Sequence, residues 1–320
     1  MASYQRLNDD IVCIDTQQQR ASFAACYLIG GDGHYAFIEA GTSRSVPALL
    51  QVLDELHIDR DAIDYVMPTH VHLDHAGGAG ALLRELPKAR LVVHPRGARH
   101  LIDPSKLIAS AVKVYGFEEV HRSYGDIVPV PESRVMVADV TRDDGFSLSV
   151  GRRPLLLVDV PGHARHHYAV WDARSRGWFS GDILGASYRD FDSALGFYVV
   201  PTTTPTQFDP VAWEDSLQKL MAKEPAHIYL THYGRLDDAA GIVRQLRASL
   251  AAYQRIARAA DGAADRHARL VAELFDYHLM QLRSMHHPMP EARVRALLKL
   301  DMELNAQGLE VWLDRSRRAH

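Results

Sequence analysis

Four times within the first 236 residues a short apolar run stops and a histidine or an aspartate follows within three positions. Residues 65–67 are followed by His70, 155–160 by His163, 178–180 by Asp182 and 227–230 by His232. Runs of this length, rich in β-branched and aromatic residues and bounded by Gly, Pro or Asp, read as strands. In α/β folds the loops beyond strand ends carry the functional groups. The repeated placement therefore points to an α/β chain whose strand-end loops converge.

The densest of these loops is THVHLDHAGG, with three histidines and one aspartate inside six positions. In extended backbone, residues two apart point the same way, so His70 and His72 can share one target. Asp74 and His75 come where the chain turns into a helix at Gly78 and can aim at a second point nearby. Gly77 and Gly78 relieve crowding where backbone runs close to that point. Neutral imidazoles and a carboxylate are ligands that zinc, iron or manganese accepts. The competing reading is chance clustering in a chain with 18 histidines. Against it stands the joint spacing with His163, Asp182 and His232, since converging buried polar groups are costly without a partner.

Further strands are expected at 11–14, 24–29, 35–38, 90–93 and 168–171, with a hairpin at Gly31-Asp32-Gly33. Helical spacing occurs at 46–56, 78–86 and 211–223, and Pro47 after Ser45 suits a helix opening. Residues 102–133 read as a loop-rich insertion with one helix, 105–115. After Arg235 strand signals vanish. Two long amphipathic segments, 239–260 and 264–285, are separated by Asp261-Gly262, and a shorter helical pair follows at 291–300 and 302–313. The expected organisation is a catalytic domain over 1–236 and an all-helical appendage over 237–320.

The formal net charge of −4 gives no general pull toward nucleic acid or anionic membrane, and no apolar run reaches the length of a membrane span. The first residues lack the pattern of a secretory signal. Cys13 and Cys26 lie in strand-like apolar segments and read as buried free thiols. A cytoplasmic protein acting on a small molecule is expected, with neither nucleic acid nor membrane as partner.

His-x-His-x-Asp-His, followed by Gly-His, Gly-Asp and Thr-His, resembles the metallo-β-lactamase superfamily over residues 11–236. FIEAG resembles that family's short acidic motif, with Glu39 where Asp is more usual. The resemblance implies an αββα sandwich with metals at one edge. It further implies that His70, His72 and His163 hold one divalent cation, that Asp74, His75 and His232 hold a second, and that Asp182 bridges them. Zinc is expected, with iron and manganese as alternatives. Two cations sharing a water lower its pKa toward neutrality, so hydroxide can attack a carbonyl, oriented by Asp74.

The resemblance favours thioester or ester hydrolysis of the glyoxalase II type. Lactone hydrolysis comes next, although Gly185 stands where the lactonase branch has a tyrosine and Tyr188 comes three residues later. Phosphodiester cleavage, a mononuclear-iron persulfide dioxygenase and a regulatory protein acting through the helical tail are the alternatives. A glutamate at the position of His72 would mark the oxygen-reducing branch, and this chain departs from it. Tyr188, Phe191, Phe197 and Tyr198 are candidates for the substrate pocket, and His167, with His166 beside it, for orienting a ligand. The apolar stripes of the tail suit a core or a homodimer contact.

Overall fold

The computed structural model describes residues 2–203 and 205–318. In chain order its strands are β1 (Tyr4–Arg6), β2 (Ile11–Asp15), β3 (Ala25–Gly31), β4 (His34–Ile38), β5 (Ile63–Met67), β6 (Arg90–Val93) and β7 (Val135–Val137). They continue with β8 (Phe146–Val150), β9 (Arg153–Asp159), β10 (Tyr168–Asp172), β11 (Gly177–Gly181), β12 (His227–Leu230) and β13 (Gly234–Leu236). The helices are α1 (Val46–Glu55), α2 (Leu73–Ala76), α3 (Ala79–Glu85), α4 (Ala98–Ile102), α5 (Ser105–Tyr115) and α6 (Phe117–Tyr124). Four more follow: α7 (Pro210–Met221), α8 (Ala239–Ala260), α9 (Arg266–Ser284) and α10 (Glu291–Arg318). The result is two mixed sheets flanked by helices, with α8–α10 closing the described chain. No helix among the described residues is long and apolar enough to cross a membrane.

Contacts divide the chain into two compact units. The first comprises the chain through Asp159 with His166–Gly181 and Glu224–Asp237, and it contains both sheets. One sheet runs β1-β2-β3-β4-β5-β6-β7, antiparallel as far as β4 and parallel beyond it. The other runs β13-β12-β11-β10-β9-β8 and is antiparallel except between β11 and β12.

Strands β2 and β3 are apolar on both faces, as strands covered on both sides must be. Ile11, Cys13, Tyr27 and Ile29 enter the core between the sheets, together with Leu157, Tyr168, Phe179 and Tyr229 from the opposite sheet. Val12, Ile14, Cys26 and Leu28 enter a second core with Leu49, Val52 and Leu53 of α1 and Leu82 and Leu83 of α3. Each fully buried aliphatic chain contributes roughly 1.5–3 kcal/mol. The two cysteines form no disulfide, and they lie on opposite faces of their sheet, so they cannot pair with each other. Two tyrosines tie the sheets together: Tyr27 donates to the Leu230 carbonyl at 2.5 Å and Tyr168 to the Val92 carbonyl at 3.1 Å. At the end of β9, the buried Arg153 guanidinium grips Asp172 through Nε at 3.0 Å and Nη2 at 2.6 Å.

The second unit gathers Val160–Arg165, Asp182–Lys223 and the chain from Asp238 onward. Asp209 caps α7 by accepting from the amides of Val211 and Ala212, and Pro210 occupies the first turn. In α8–α10, Leu246, Leu250, Leu274, Leu279, Leu298 and Leu309 are among the buried residues. Burial lowers the pKa of His278 from the ordinary 6.5 to about 3. The folded chain therefore keeps this histidine neutral at a pH where the unfolded chain protonates it, and stability falls as pH drops below 6.5 toward 3. One proton corresponds to about 1.4 kcal/mol per pH unit. Urea midpoints at pH 7, 6 and 5 are expected to decline less steeply in His278→Gln; equal slopes would count against this assignment.

Beyond the short helices α2 and α4, which leave no periodic pattern, the structure departs from the sequence-based expectations in three further places. Strands β1, β7, β8 and β13 were not anticipated, being short or carrying alternating polar residues such as FSLSV. The 102–133 region adds α6 to the expected helix. Its sequence FEEVHRSY is mostly charged, and only Val120 and Tyr124, four apart, are buried, against Leu73 and Ala111. Third, the expected pair 291–300 and 302–313 is one continuous helix, α10. No proline or glycine separates the halves, and Asp301 instead accepts a hydrogen bond from Tyr188.

Candidate metal centre

The loop after β5 carries Thr69 to His72 into the short helix α2. His72 stands at its N-cap with extended backbone, φ −64° and ψ 151°. His70 Nε2 and His72 Nδ1 approach to 2.8 Å, so the two rings present nitrogens to one point, as residues two apart on extended chain should. Asp74 and His75 occupy the first turn of α2, and His232 follows β12. Asp74 Oδ2 lies 3.6 Å from His75 Nε2 and 3.4 Å from His232 Nε2. The ligand atoms of Asp74, His75 and His232 all fall within 4.8 Å of one another.

The hydrogen bonds behind these rings decide what faces Asp74. His232 Nδ1 lies 2.8 Å from the Phe23 carbonyl, which can only accept, so Nδ1 bears a proton and Nε2 is the nitrogen that carries the lone pair in the neutral ring. His75 Nδ1 lies 3.0 Å from Glu39 Oε1 and is held in the same way. Two imidazole Nε2 atoms thus face a carboxylate oxygen across 3.4–3.6 Å. A proton or a cation between them makes that approach attractive. Imidazole nitrogens backed by acceptors, beside a carboxylate, are the donor set of a divalent transition metal.

Glu39 is the support that sequence reasoning placed in a motif without giving it a role. Its Oε1 accepts from Thr69 Oγ1 at 2.7 Å and Thr231 Oγ1 at 2.9 Å as well as from His75, and its Oε2 accepts from the Thr69 amide at 3.0 Å. The residue is buried, and its φ of 68° is a strained value that these bonds hold in place. A signal was present: His70 and His232 are each preceded by threonine, and both hydroxyls end on the one carboxylate.

In the second unit, His163 and Asp182 lie side by side, with His163 Nε2 3.5 Å from Asp182 Oδ2. His163 Nδ1 donates to the Thr202 carbonyl at 2.6 Å, which again leaves the Nε2 lone pair toward a carboxylate. Thr202 went unnoticed in the sequence because its part is played by the main chain. The glycine of each dipeptide has its own reason. A Cβ on Gly162, at φ 136°, would stand 2.5 Å from Trp213 Cα. On Gly181, at φ 51°, it would stand 2.4 Å from Thr69 Oγ1 and 2.6 Å from His167 Nε2.

His167 stacks on His70 with centroids 4.7 Å apart, and His166 lies further out at 6.2 Å. Tyr188 and Tyr198 are buried within the second unit, their hydroxyls bonded to Asp301 at 2.8 Å and His278 at 2.5 Å. Phe197 is half-buried beside them.

The Metallo-beta-lactamase superfamily model matches residues 20–232. A metallo-beta-lactamase fold-containing protein of Sulfurisphaera tokodaii is 30% identical over 214 residues, covering 66% of this chain and 73% of that protein. An acyl-coenzyme A thioesterase of Homo sapiens is 26% identical over 192 residues, covering 57% of this chain and 66% of that protein. Among solved structures, a beta-lactamase domain protein from Burkholderia ambifaria aligns with a TM-score of 0.64 at 17% identity, over 98% of this chain and 89% of that one. That last likeness concerns the fold.

Proposed function

The chain belongs to the metallo-beta-lactamase superfamily, and from that premise we propose that it is a metal-dependent hydrolase of small acyl thioesters, with esters and lactones as the neighbouring substrates. In this reading His70, His72 and His163 hold one divalent cation, Asp74, His75 and His232 hold a second, and Asp182 serves both, with zinc as the expected metal. The observation that carries it is the convergence of His75 Nε2 and His232 Nε2 on Asp74 Oδ2, at 3.6 and 3.4 Å. The thioester class is supported by the activity in the name of the human relative.

Bound divalent cations supply Lewis acidity and bring the pKa of a water molecule toward neutrality. The chain's own groups do the remaining work. Glu39, Phe23 and Thr202 hold a proton on Nδ1 of His75, His232 and His163, so that these rings need not reorganise during the reaction. Asp74 is the most exposed carboxylate of the set, at 24%, and can accept a hydrogen bond from the attacking water and orient it. His70, His75, His163 and His232 are buried, which keeps bulk solvent from competing for them.

Elemental analysis joined to a panel of acyl thioesters, lactones and phosphodiesters tests the reading. Two metals per chain are expected, with thioester turnover falling by about 100-fold or more on chelation and returning with zinc. Undiminished turnover after complete metal removal would refute it. One iron per chain with oxygen consumed on a persulfide would replace it with dioxygenase chemistry.

A further inference from the structure

Asn305 lies in the middle of α10 and is 2% exposed, where a polar side chain is costly unless each of its groups is paired. Its Oδ1 accepts from the Thr203 amide at 2.6 Å and is 2.9 Å from Thr203 Oγ1. Its Nδ2 donates to the Pro201 carbonyl at 2.9 Å and to Tyr253 Oη at 3.3 Å. An amide N–H only donates and a carbonyl only accepts, so the orientation of the Asn305 amide is settled by its neighbours.

These partners bracket Thr202 from both sides. Thr202 in turn accepts from His163 Nδ1 through its carbonyl at 2.6 Å, and its hydroxyl donates to the Asp182 carbonyl at 3.0 Å. Gln245 of α8 repeats the device four residues upstream, accepting from the Val199 amide at 2.9 Å and donating to the Phe197 carbonyl at 3.1 Å. Two side-chain amides thus take the place of a neighbouring strand along residues 197–203. Behind Asn305 the network continues: Tyr253 Oη lies 2.6 Å from His278 Nε2, and His278 Nδ1 lies 2.5 Å from Tyr198 Oη.

Resting on the reading of His163 and Asp182 as metal ligands, we propose that Asn305 is a positioning residue for the metal centre. Through the backbone of 201–203 it places the Thr202 carbonyl that keeps the proton on His163 Nδ1, and the Thr202 hydroxyl that ties the main chain at Asp182. The helical tail then acts on metal affinity without supplying a ligand.

The test compares full-length wild type with Asn305→Ala, with Thr202→Val, which removes only the hydroxyl, and with His267→Ala. His267 bridges Glu303 and Glu310 at 2.9 and 3.0 Å within the same tail and makes no hydrogen bond to residues 197–203, so it controls for general loosening. In zinc competition against a chelator, Asn305→Ala is expected to bind one of the metals roughly 10-fold or more weakly, Thr202→Val to shift the same way by less, and His267→Ala to match wild type. In metal-free protein, the imidazole N–H resonance that disappears in His163→Gln should be sharp in wild type and in His267→Ala, and broadened or lost in Asn305→Ala. Wild-type affinity in both Asn305→Ala and Thr202→Val, or an equal loss in His267→Ala, overturns the proposal. Should wild type take up no zinc, the hydrolase reading fails by itself. The imidazole resonance then decides the positioning role: persistence in Asn305→Ala overturns it and loss upholds it.

Discussion

Asp74→Asn is expected to lower thioester turnover about 10³-fold. The carboxylate faces His75 Nε2 and His232 Nε2 at 3.6 and 3.4 Å, and a neutral amide of the same shape is a much weaker ligand for a cation held with them. Lewis-acid stabilisation of several kcal/mol, at 1.36 kcal/mol per tenfold, sets the magnitude. The same substitution has the opposite effect without metal. The asparagine amide can donate to the lone pair of a neutral imidazole, which a carboxylate cannot, so metal-free variant should melt no lower than metal-free wild type. Zinc should then raise the melting temperature of wild type by clearly more than that of the variant, in which only the set without Asp74 is left intact. Matched metal content and turnover in the two proteins would remove Asp74 from the centre.

Glu39→Ala should be the most damaging single change to the folded chain. It takes the acceptor from Thr69 Oγ1, the Thr69 amide, Thr231 Oγ1 and His75 Nδ1 at once, in a buried place. Each orphaned donor costs about 1–3 kcal/mol, and with water entering the gap a total of roughly 3–5 kcal/mol follows. At roughly 2–4 °C per kcal/mol, thermal unfolding should begin on the order of 10 °C lower. Zinc affinity should fall with it, because His75 loses the acceptor that fixes its tautomer. Glu39→Gln keeps the volume but sets an N–H against another donor, so an intermediate loss is expected in calorimetry. A melting temperature within 2 °C of wild type in Glu39→Ala, about the resolution of half a kcal/mol, would show that these bonds do not hold the loop.

The fold was legible wherever chemistry and period agree. The strands expected at 11–14, 35–38, 90–93 and 227–230 differ from β2, β4, β6 and β12 by at most one residue at an end, because strands apolar on both faces leave uninterrupted runs in the sequence. Edge strands such as β1, with sequence YQR, leave no such mark. Among the candidate ligands, Asp74, His75 and His232 meet within one unit, and His163 meets Asp182 within the other. Their spacing was readable because each follows a strand. The supports were not. Glu39 accepts from residues 30 to 192 positions away, and Thr202 acts partly through a carbonyl that every residue possesses. The split of α10 into two expected helices had a similar origin: Asp301 looks like a break until its partner Tyr188, 113 positions upstream, is known.

The bracket that Asn305 places around Thr202 joins positions 102 apart, and it sets a schedule for biosynthesis. Translation at about 5–20 residues per second leaves roughly 5–20 s between the emergence of Thr203 and that of Asn305. During that interval the nascent polypeptide has an unclamped segment beside two would-be ligands. Slow-translating conditions, or a ribosome stalled short of Asn305, should therefore accumulate chains that hold zinc poorly.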